Sequence, residues 1–387
     1  MEIDEAYEGR EHSAVKHALL EGYLEKLLFI KGMSDTREIT YVDCFAGPYK
    51  DESEDIQATS IAISLKTLKK VRDALAAQRK YVTMRAIYVE KDEACYNQLK
   101  AYLDSNCPSS IKPFYIHGDY AEKVDEILSL CGGNSFVFFF VDPEGWTDVS
   151  IPRLDKLLRR QKSEFLVTFM YDFFMRFVGK PELRSRVTEM LGPLSDGEYQ
   201  EMCRLQSKER EKFIVRRYRE QLMATMGPDG QNRARSYHAV IKDKDKERTK
   251  YHLVYGTRHP KGIIEFAEQS DKAELVERVV RIQVKQNSSH QIAMFSPEDE
   301  ADRMHDETVD LEVVKRYWLT KLTDQPVKFN EARQADMLEE TGWLIRDFEL
   351  AFKELLAEKK VENLDAVGKR TKHPVYFDKS ERLRRCT

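Results

Sequence analysis

The feature that most constrains the fold is a series of short apolar segments that alternate with helix-forming segments in the first half of the chain. The apolar segments have strand-like patterns and lie at residues 39–45, 85–89, 113–117, 135–141 and 164–170. Amphipathic, helix-period segments precede the first of them and separate the rest. This alternation is typical of a parallel sheet with helices on both faces. We therefore predict an α/β fold of the Rossmann-like type.

The middle of the chain departs from this alternation. Residues 177–235 are charged and mostly helical in pattern, and we interpret them as a helical insertion or lid. Residues 237–241 and 251–257 have strand patterns on either side of a charged loop, which indicates a hairpin at one edge of the sheet. We assign all of residues 1–285 to one Rossmann-like domain.

The C-terminal part follows a polar, poorly patterned stretch at residues 286–309, which we interpret as a linker. Residues 310–387 have the pattern of three helices followed by two short strands, at 360–362 and 374–377, around a basic loop. This order is the outline of a winged helix. We predict a winged-helix-like second domain over residues 310–387.

Charge and cysteine content narrow the class of protein. A chain of 387 residues with 41% hydrophobic and 34% charged residues is a soluble globular protein, and its net charge of −4 gives no overall attraction to nucleic acid. Its 6 cysteines include no CxxC pair and no zinc-binding spacing, so we expect reduced thiols and no metal site. The N-terminus is too charged for a signal peptide and no apolar run approaches membrane-spanning length. We therefore expect a cytoplasmic protein.

Acidic residues follow the ends of four consecutive predicted strands. Asp43 lies near the end of the first strand and Gly47 follows that strand, Glu90 ends the second, Asp119 follows the third, and Asp142 ends the fourth. The carboxyl ends of parallel strands meet at one edge of the sheet, where doubly wound folds bind nucleotides and use an acid for the ribose hydroxyls. This spacing predicts a nucleotide-type cofactor site.

Each of these residues also has a simpler interpretation. Gly47 could be an ordinary turn glycine. Glu90 and Asp119 could cap the helices that follow them, because acids are favoured at helix N-termini. Asp142 could be a solvated strand end before a proline turn. The occurrence of acids at four strand ends in register favours the cofactor interpretation.

Several sequence blocks, in a fixed order, resemble those of the three-Cys-motif partner (TcmP) family. The blocks are KHALLEGYL, YVDCFAGPY, VDPEGW, EFLVTFMYDFFMRF and YHLVYGTRHPKG, followed by the winged-helix outline, and they extend from Lys16 to about Phe377. The resemblance implies a class I methyltransferase-type fold, S-adenosylmethionine as cofactor, and a neighbouring cysteine-rich protein as partner. The residues that it implies for cofactor binding are Asp43, Phe45, Gly47, Glu90 and Asp119.

A second likeness is to the ribosomal RNA adenine-N6 methyltransferases, which also carry a Lys-His pair in an N-terminal helix. They have Asp-Pro-Pro-Tyr where this chain has Asp142, Pro143, Glu144 and Gly145, with the aromatic displaced to Trp146. The likeness implies that Asp142 and the Pro143 carbonyl hold an exocyclic amine, and that Trp146 stacks on a flipped base. Trp146 could instead be a packed core aromatic, and Glu144 has no counterpart in this scheme.

Three basic residues are candidate substrate contacts. Lys16 and His17 are neighbours in the first predicted helix, and Arg176 follows the fifth strand. His17 could instead bind a backbone carbonyl, and Arg176 could pair with a nearby acid such as Asp172. The sequence leaves both alternatives open.

Two functions of different classes follow. The first is an S-adenosylmethionine-dependent methyltransferase that acts on an exocyclic amine of a nucleic-acid base by direct transfer, since no Pro-Cys dipeptide is present for thiol attack. The second is a non-catalytic or partner-dependent subunit that binds another protein through its winged helix. The predicted recognition helix is rich in acids, whereas basic residues collect in the wing and C-terminal tail, so nucleic acid would bind there.

Overall fold

A computed structural model describes residues 11–47, 59–243, 248–289, 309–368, 370 and 373–386. The chain divides into two compact units, Met1–Arg258 and His259–Thr387. The predicted boundary at residue 285 differs from this division, because the helix that starts at Pro260 belongs to the second unit. The predicted linker at 286–309 lies largely outside the described residues.

The first unit is built on a seven-stranded, mostly parallel sheet. Its described strands are β1 (Glu38–Asp43), β2 (Thr83–Glu90), β3 (Ile111–His117), β4 (Phe136–Val141), β5 (Ser163–Phe169), β6 (Arg235–Lys242) and β7 (Thr249–Thr257). They lie in the order β3-β2-β1-β4-β5-β7-β6, with β7 antiparallel to both of its neighbours. The doubly wound order 3-2-1-4-5-6 is thus kept, with one antiparallel strand inserted before the last.

Helices cover both faces of this sheet. Those described in the first unit are α1 (Glu11–Met33), α2 (Ser60–Ala77), α3 (Glu93–Asn106), α4 (Val124–Cys131), α5 (Ile151–Leu158), α6 (Tyr171–Met175), α7 (Arg184–Leu191), α8 (Asp196–Arg204) and α9 (Ser207–Met226). Local capping fixes where α2 and α3 begin. Thr59 accepts a hydrogen bond from the Ala62 N–H, and Asp92 accepts one from the Cys95 N–H, which satisfies amides that a helix start leaves without partners.

Strand β4 forms the centre of the core, because β1 and β5 flank it and helices cover both of its faces. All six of its residues, FVFFFV, are buried. This is the pattern of a parallel strand with no solvent-facing side. Aromatic side chains extend the core on both faces, with Phe139 stacked on Phe165 at 5.1 Å and Tyr41 stacked on Phe138 at 6.3 Å between ring centroids.

The predicted helical insertion contains α7, α8 and α9, and α9 packs into the core. Tyr218 on α9 is buried and stacks on Phe169 of β5 with ring centroids 4.8 Å apart, while its hydroxyl donates to the Val149 carbonyl. Leu222 and Met226 are buried on the same helix. Helix α9 therefore covers one face of the sheet, as the other crossover helices do, and is not a detached lid.

The second unit contains four described helices and a small antiparallel sheet. The helices are α10 (Pro260–Ser289), α11 (Leu311–Lys321), α12 (Glu331–Thr341) and α13 (Ile345–Ala357), and the strands are β8 (Val327–Phe329), β9 (Val361–Asn363) and β10 (Glu381–Arg385), in the order β8-β10-β9. Strand β9 lies where the sequence predicted it. The second predicted strand, at 374–377, is wrong, since β10 comes later in the chain and a short 3-10 turn occupies Phe377–Lys379.

Among the described residues, no helix is both long enough and apolar enough to cross a membrane. The 6 cysteines are all free thiols, and Cys44, Cys95 and Cys131 are buried.

Candidate functional site

A cavity of about 320 Å³ opens at the carboxyl edge of the first four strands. Hydrogen bonds between successive strand ends shape its floor. The Ala46 N–H donates to the Val89 carbonyl at 2.8 Å, and the Gly118 N–H donates to the Glu90 carbonyl at 2.9 Å. The cavity is lined by Gly47 and by residues with polar side chains. These are Cys44, Glu90, Lys91, Asp92, Asp119, Tyr120, Asp142 and Glu144.

Gly47 and Glu90 meet at the wall of this cavity. A Cβ atom added to Gly47 would lie 2.3 Å from Oε2 of Glu90, far inside any real contact distance. Oε1 of Glu90 accepts a hydrogen bond of 2.7 Å from the Asp92 N–H, which fixes the orientation of the carboxylate. The glycine therefore leaves room for a carboxylate that is 9% exposed and lines the cavity.

Asp43 lies behind the cavity and is fully buried. Its carboxylate accepts hydrogen bonds from the Phe45 N–H at 3.1 Å and from the Ser60 hydroxyl at 2.7 Å. Burial raises the pKa of Asp43 to about 6, although both hydrogen bonds act in the opposite direction. Asp43 thus shapes the turn after β1 and ties it to the start of α2, while Phe45 itself lines the cavity and packs against Tyr120.

Asp119 lines the cavity on the β3 side and is held by an arginine that the sequence analysis did not identify. Nη2 of Arg153, on α5, lies 2.7 Å from each carboxylate oxygen of Asp119 and 3.4 Å from Asp148. The Ala121 N–H also donates to Asp119 at 2.8 Å, within the turn before α4. The N-cap of α4 is Lys123, so Asp119 does not cap that helix, and the capping interpretation is wrong. The side chain of Asp119 is 29% exposed, so it reaches the cavity while it holds these partners.

Asp142 and Lys16 form an ion pair at the opposite side of the cavity. Nζ of Lys16, on α1, lies 2.5 Å from Oδ2 of Asp142, and the two side chains are 13% and 18% exposed. Pro143 is buried directly after it, and Glu144 lines the cavity. Lys16, a predicted substrate contact, therefore pairs with Asp142, the predicted catalytic acid. The pair lies at the sheet edge that also carries Glu90 and Asp119.

Helix α1 is fixed to the sheet by a buried polar cluster that sequence reasoning missed. Glu164 of β5 is 3% exposed and accepts hydrogen bonds from Tyr23 at 2.7 Å, Tyr255 at 2.8 Å and Thr257 at 3.0 Å. Burial and the nearby Glu164 charge raise the pKa values of both tyrosines, which keeps them as donors. Lys16 lies two turns before Tyr23 on the same helix, so this cluster sets its position.

The other predicted site residues lie further from the cavity. Trp146 is 4% exposed and packs against Phe174 and Phe177, in the arrangement of a core aromatic. His17 is half-buried beside Lys16 on α1. Arg176 is 58% exposed at the end of α6 and pairs with Asp172 at 2.7 Å, the partner that the sequence offered as its alternative.

The basic residues predicted to bind nucleic acid in the wing and tail are largely paired with acids. Arg370 pairs with the buried Glu381, Arg382 with Asp365 and Arg384 with Glu362, each at 2.6 Å. Lys369 and Lys372 lie outside the described residues.

Among the described residues, one group of three carboxylates is close enough to hold a metal ion, but Lys315 binds all three, namely Glu312, Glu354 and Glu358.

Comparisons with known proteins assign no family to this chain. No protein-family model matches the sequence, and no curated protein matches it. Among solved structures, a protein from Legionella pneumophila str. Philadelphia 1 with the family model DUF519 aligns with a TM-score of 0.36 and 12% identity over 71% of this chain and 91% of its own. A loganic acid methyltransferase solved with SAH aligns with a TM-score of 0.28 and 10% identity over 92% of each chain. Both TM-scores are below 0.5, so neither match bears on the function.

Proposed function

We propose that the first unit is an S-adenosylmethionine-dependent methyltransferase that acts on an exocyclic amine of a nucleic-acid base. The observation that carries the proposal is the direct approach of Gly47 to the Glu90 carboxylate at the cavity wall. A doubly wound sheet that binds an adenosine-containing cofactor needs close backbone after β1 and an acid after β2 for the ribose hydroxyls. Gly47 and Glu90 meet both needs at one place.

The cavity fits such a cofactor in size and in the chemistry of its walls. Its volume of about 320 Å³ lies at the lower end of the range of small-molecule sites. Glu90 offers an acceptor for ribose hydroxyls, Asp119 offers one for an amino group, and Phe45 offers an apolar ring in the same cavity. The order of the seven strands, with its antiparallel β7, resembles that of class I methyltransferases.

The residues at the end of β4 would hold the acceptor. S-adenosylmethionine, when bound, would supply a methyl group from a positively charged sulfur, with the neutral thioether S-adenosylhomocysteine as the leaving group. The methylated amine would release one proton to solvent. Asp142 and the Pro143 carbonyl are both acceptors and would bind the two hydrogens of an exocyclic amine. The negative charge of Asp142 favours the positive charge that develops on the nitrogen, and holding the amine in place contributes the larger part of the rate.

Lys16 has a defined part in this proposal. Its ammonium donates a hydrogen bond to Oδ2 of Asp142, one of the two oxygens of that carboxylate. An incoming amine would replace Lys16 as the partner of Asp142 or share the carboxylate with it. Lys16 would therefore hold Asp142 in place before substrate arrives.

Transfer of a labelled methyl group from S-adenosylmethionine to cellular DNA and RNA tests this proposal. We expect labelling of one nucleic acid by the native chain, with any required cysteine-rich partner supplied, and a loss of roughly a hundredfold or more with Asp142→Ala. Asp125→Ala is a matched control, because Asp125 is exposed and pairs with Lys156 on the surface. Undiminished labelling with Asp142→Ala, or labelling of protein alone, contradicts the assignment.

A second candidate is a methyltransferase-like subunit that assembles with another protein. The observation that favours it is that Asp142 and Asp119, two of the acids at the cavity, are already paired, with Lys16 and Arg153. In this alternative the second unit is a winged helix that docks a partner such as a three-Cys-motif protein. The pairing of Arg370, Arg382 and Arg384 with acids suits protein contact better than phosphate contact. Co-purification with the partner, without binding of S-adenosylmethionine, would select this candidate.

A further inference from the structure

Helix α6 and the turn after it present two aromatic rings to the surface beside the edge that carries Asp142. Helix α6 follows β5, which is the parallel neighbour of β4, so α6 lies at the same carboxyl edge of the sheet. Phe173 is 37% exposed, and Phe177 is half-buried next to it, with the ring centroids 5.4 Å apart. Phe173 is the only exposed phenylalanine among the described residues, and a second ring, that of Phe177, lies beside it at the surface.

A row of rings connects these two residues to the loop after β4. Phe177 stacks on Trp146 with centroids 6.1 Å apart and an angle of 26°, and Trp146 packs edge-on against Phe174 at 5.2 Å. Trp146 lies four residues after Asp142 in the chain. The rings of Phe173 and Phe177 are thus packed against the loop that carries Asp142, the predicted catalytic acid. This packing fixes their position relative to Asp142.

Two cations lie over the faces of these rings. The Arg176 guanidinium is 5.5 Å from the centre of Phe173, and the Lys180 ammonium is 4.9 Å from the centre of Phe177. Arg176 shares Asp172 with Arg248, whereas Lys180 forms no ion pair within the part of the chain that the structure describes. We call the surface formed by Phe173, Arg176, Phe177 and Lys180 the α6 aromatic surface. It combines one exposed and one half-buried ring with positive charge.

We propose that the α6 aromatic surface binds the unpaired bases of a single-stranded nucleic acid. Bases stack on aromatic faces without regard to sequence, and Arg176 and Lys180 would leave the ring faces and contact the phosphates as the bases enter. Single-strand binding proteins combine the same two kinds of contact. A duplex cannot use the rings, because its bases are stacked inside. This inference rests on the proposed function for one point, that the nucleotide next to the stacked bases reaches Asp142.

Fluorescence anisotropy with labelled oligonucleotides tests the proposal without any cofactor. The probes are oligo(dT) and oligo(U) of about 15 nucleotides, close to the largest site of one binding domain, and a duplex of equal length. We expect the native chain to bind a single strand more tightly than the duplex. The preferred probe distinguishes DNA from RNA.

Variants separate stacking from general attraction. We expect Phe173→Ala to weaken single-strand binding by about tenfold or more, and Phe173→Trp to retain it, because a larger ring still stacks. We expect Lys180→Gln to lower the slope of log affinity against log salt by about 0.7, the value for one phosphate contact on a single strand. Tyr81→Ala is the aromatic control, since Tyr81 is 74% exposed elsewhere. Arg159→Gln removes an exposed cation elsewhere on the surface and is the control for Lys180→Gln.

The outcomes distinguish this inference from the proposed function. If the native chain binds S-adenosylmethionine but no single strand, the inference is overturned while the cofactor site stands. Equal loss of binding with Tyr81→Ala and Phe173→Ala, or equal binding of duplex and single strand, also overturns it. If single-strand binding depends on Phe173 and no cofactor binds, the α6 aromatic surface stands and the methyltransferase proposal fails.

Discussion

Nζ of Lys16 lies 2.5 Å from Oδ2 of Asp142, and this ion pair joins helix α1 to the end of strand β4. Both side chains are largely shielded from water, so their attraction is less screened than that of a surface pair. The pair fixes the acid that the proposed chemistry uses. It also connects two residues that the sequence suggested for different roles.

A double-mutant cycle measures this coupling. We expect Lys16→Met and Asp142→Asn each to lower the free energy of unfolding, and the double variant to lose less than the sum by about 1–3 kcal/mol. The reason is that either single change leaves a half-buried group without its partner. Urea denaturation of the four proteins gives the values. Additive losses within about 0.5 kcal/mol would show that the two groups do not interact in solution.

The close approach of Gly47 to Glu90 predicts a selective effect of one methyl group. In Gly47→Ala the new Cβ would overlap Oε2 of Glu90, so the carboxylate must turn away from the cavity wall. We expect the chain to fold and to lose most of the rise in thermal midpoint that S-adenosylmethionine gives the native protein. Gly133→Ala is the control, because a Cβ at Gly133 meets nothing within 4 Å. An equal shift in both variants would remove Gly47 from the site.

Burial of Asp43 predicts a dependence of stability on pH. Its pKa is about 6 in the folded chain against 3.8 for the ordinary group, so folding takes up a proton between these values. The charged, buried carboxylate lowers stability above pH 6, and this cost disappears as the pH falls through 6 toward 3.8. A shift of about two units corresponds to about 3 kcal/mol.

The comparison with Asp43→Asn isolates this contribution, because the variant cannot ionise at that position. We expect the unfolding free energy of the native chain, relative to the variant, to rise by about 2.5 kcal/mol between pH 7.5 and pH 4, with the rest of the change below pH 4. Urea denaturation at each pH supplies the difference. A constant difference over that range would mean that Asp43 keeps an ordinary pKa.

The Glu164 cluster predicts that the position of α1 depends on buried hydroxyls. We expect Tyr23→Phe to lower the free energy of unfolding by about 1.5–3 kcal/mol, because a buried carboxylate loses a hydrogen bond. Tyr81→Phe removes an exposed hydroxyl and is the matched control. Comparable denaturation midpoints for Tyr23→Phe and the native chain would show that Tyr255 and Thr257 satisfy Glu164 without it.

The positions of the strand-end acids could be predicted from the sequence, but their partners could not. The apolar runs that stop at Glu90 and Asp142 mark strand ends whatever the tertiary contacts are. The first run continues past Asp43, so β1 ends two residues earlier than the predicted strand. Lys16, in contrast, precedes Asp142 by 126 residues, and Arg153 follows Asp119 by 34, so only the assembled fold brings each pair together. A sequence pattern carries no information on which distant cation neutralises a given acid.

The second unit shows a different limit. Strand β10, with the sequence ERLRR, lacks the apolar pattern of a strand, because only Glu381 and Leu383 are buried and arginines alternate with them. The buried Glu381 is tolerated since Arg370 pairs with it and the Tyr376 N–H donates to it at 2.8 Å. The apolar residues at 374–377 pack without forming a strand, which is why hydrophobicity alone misplaced it.

Titration calorimetry of the native chain with S-adenosylmethionine, beside the Glu90→Ala variant, tests the central claim most directly. The account predicts one site per chain and a loss of about 1.5–3 kcal/mol in the variant, the range for a hydrogen bond to a charged group. That loss corresponds to an affinity about 10- to 150-fold weaker. Absence of binding by the native chain at millimolar cofactor, or equal affinity of the two proteins, would contradict it.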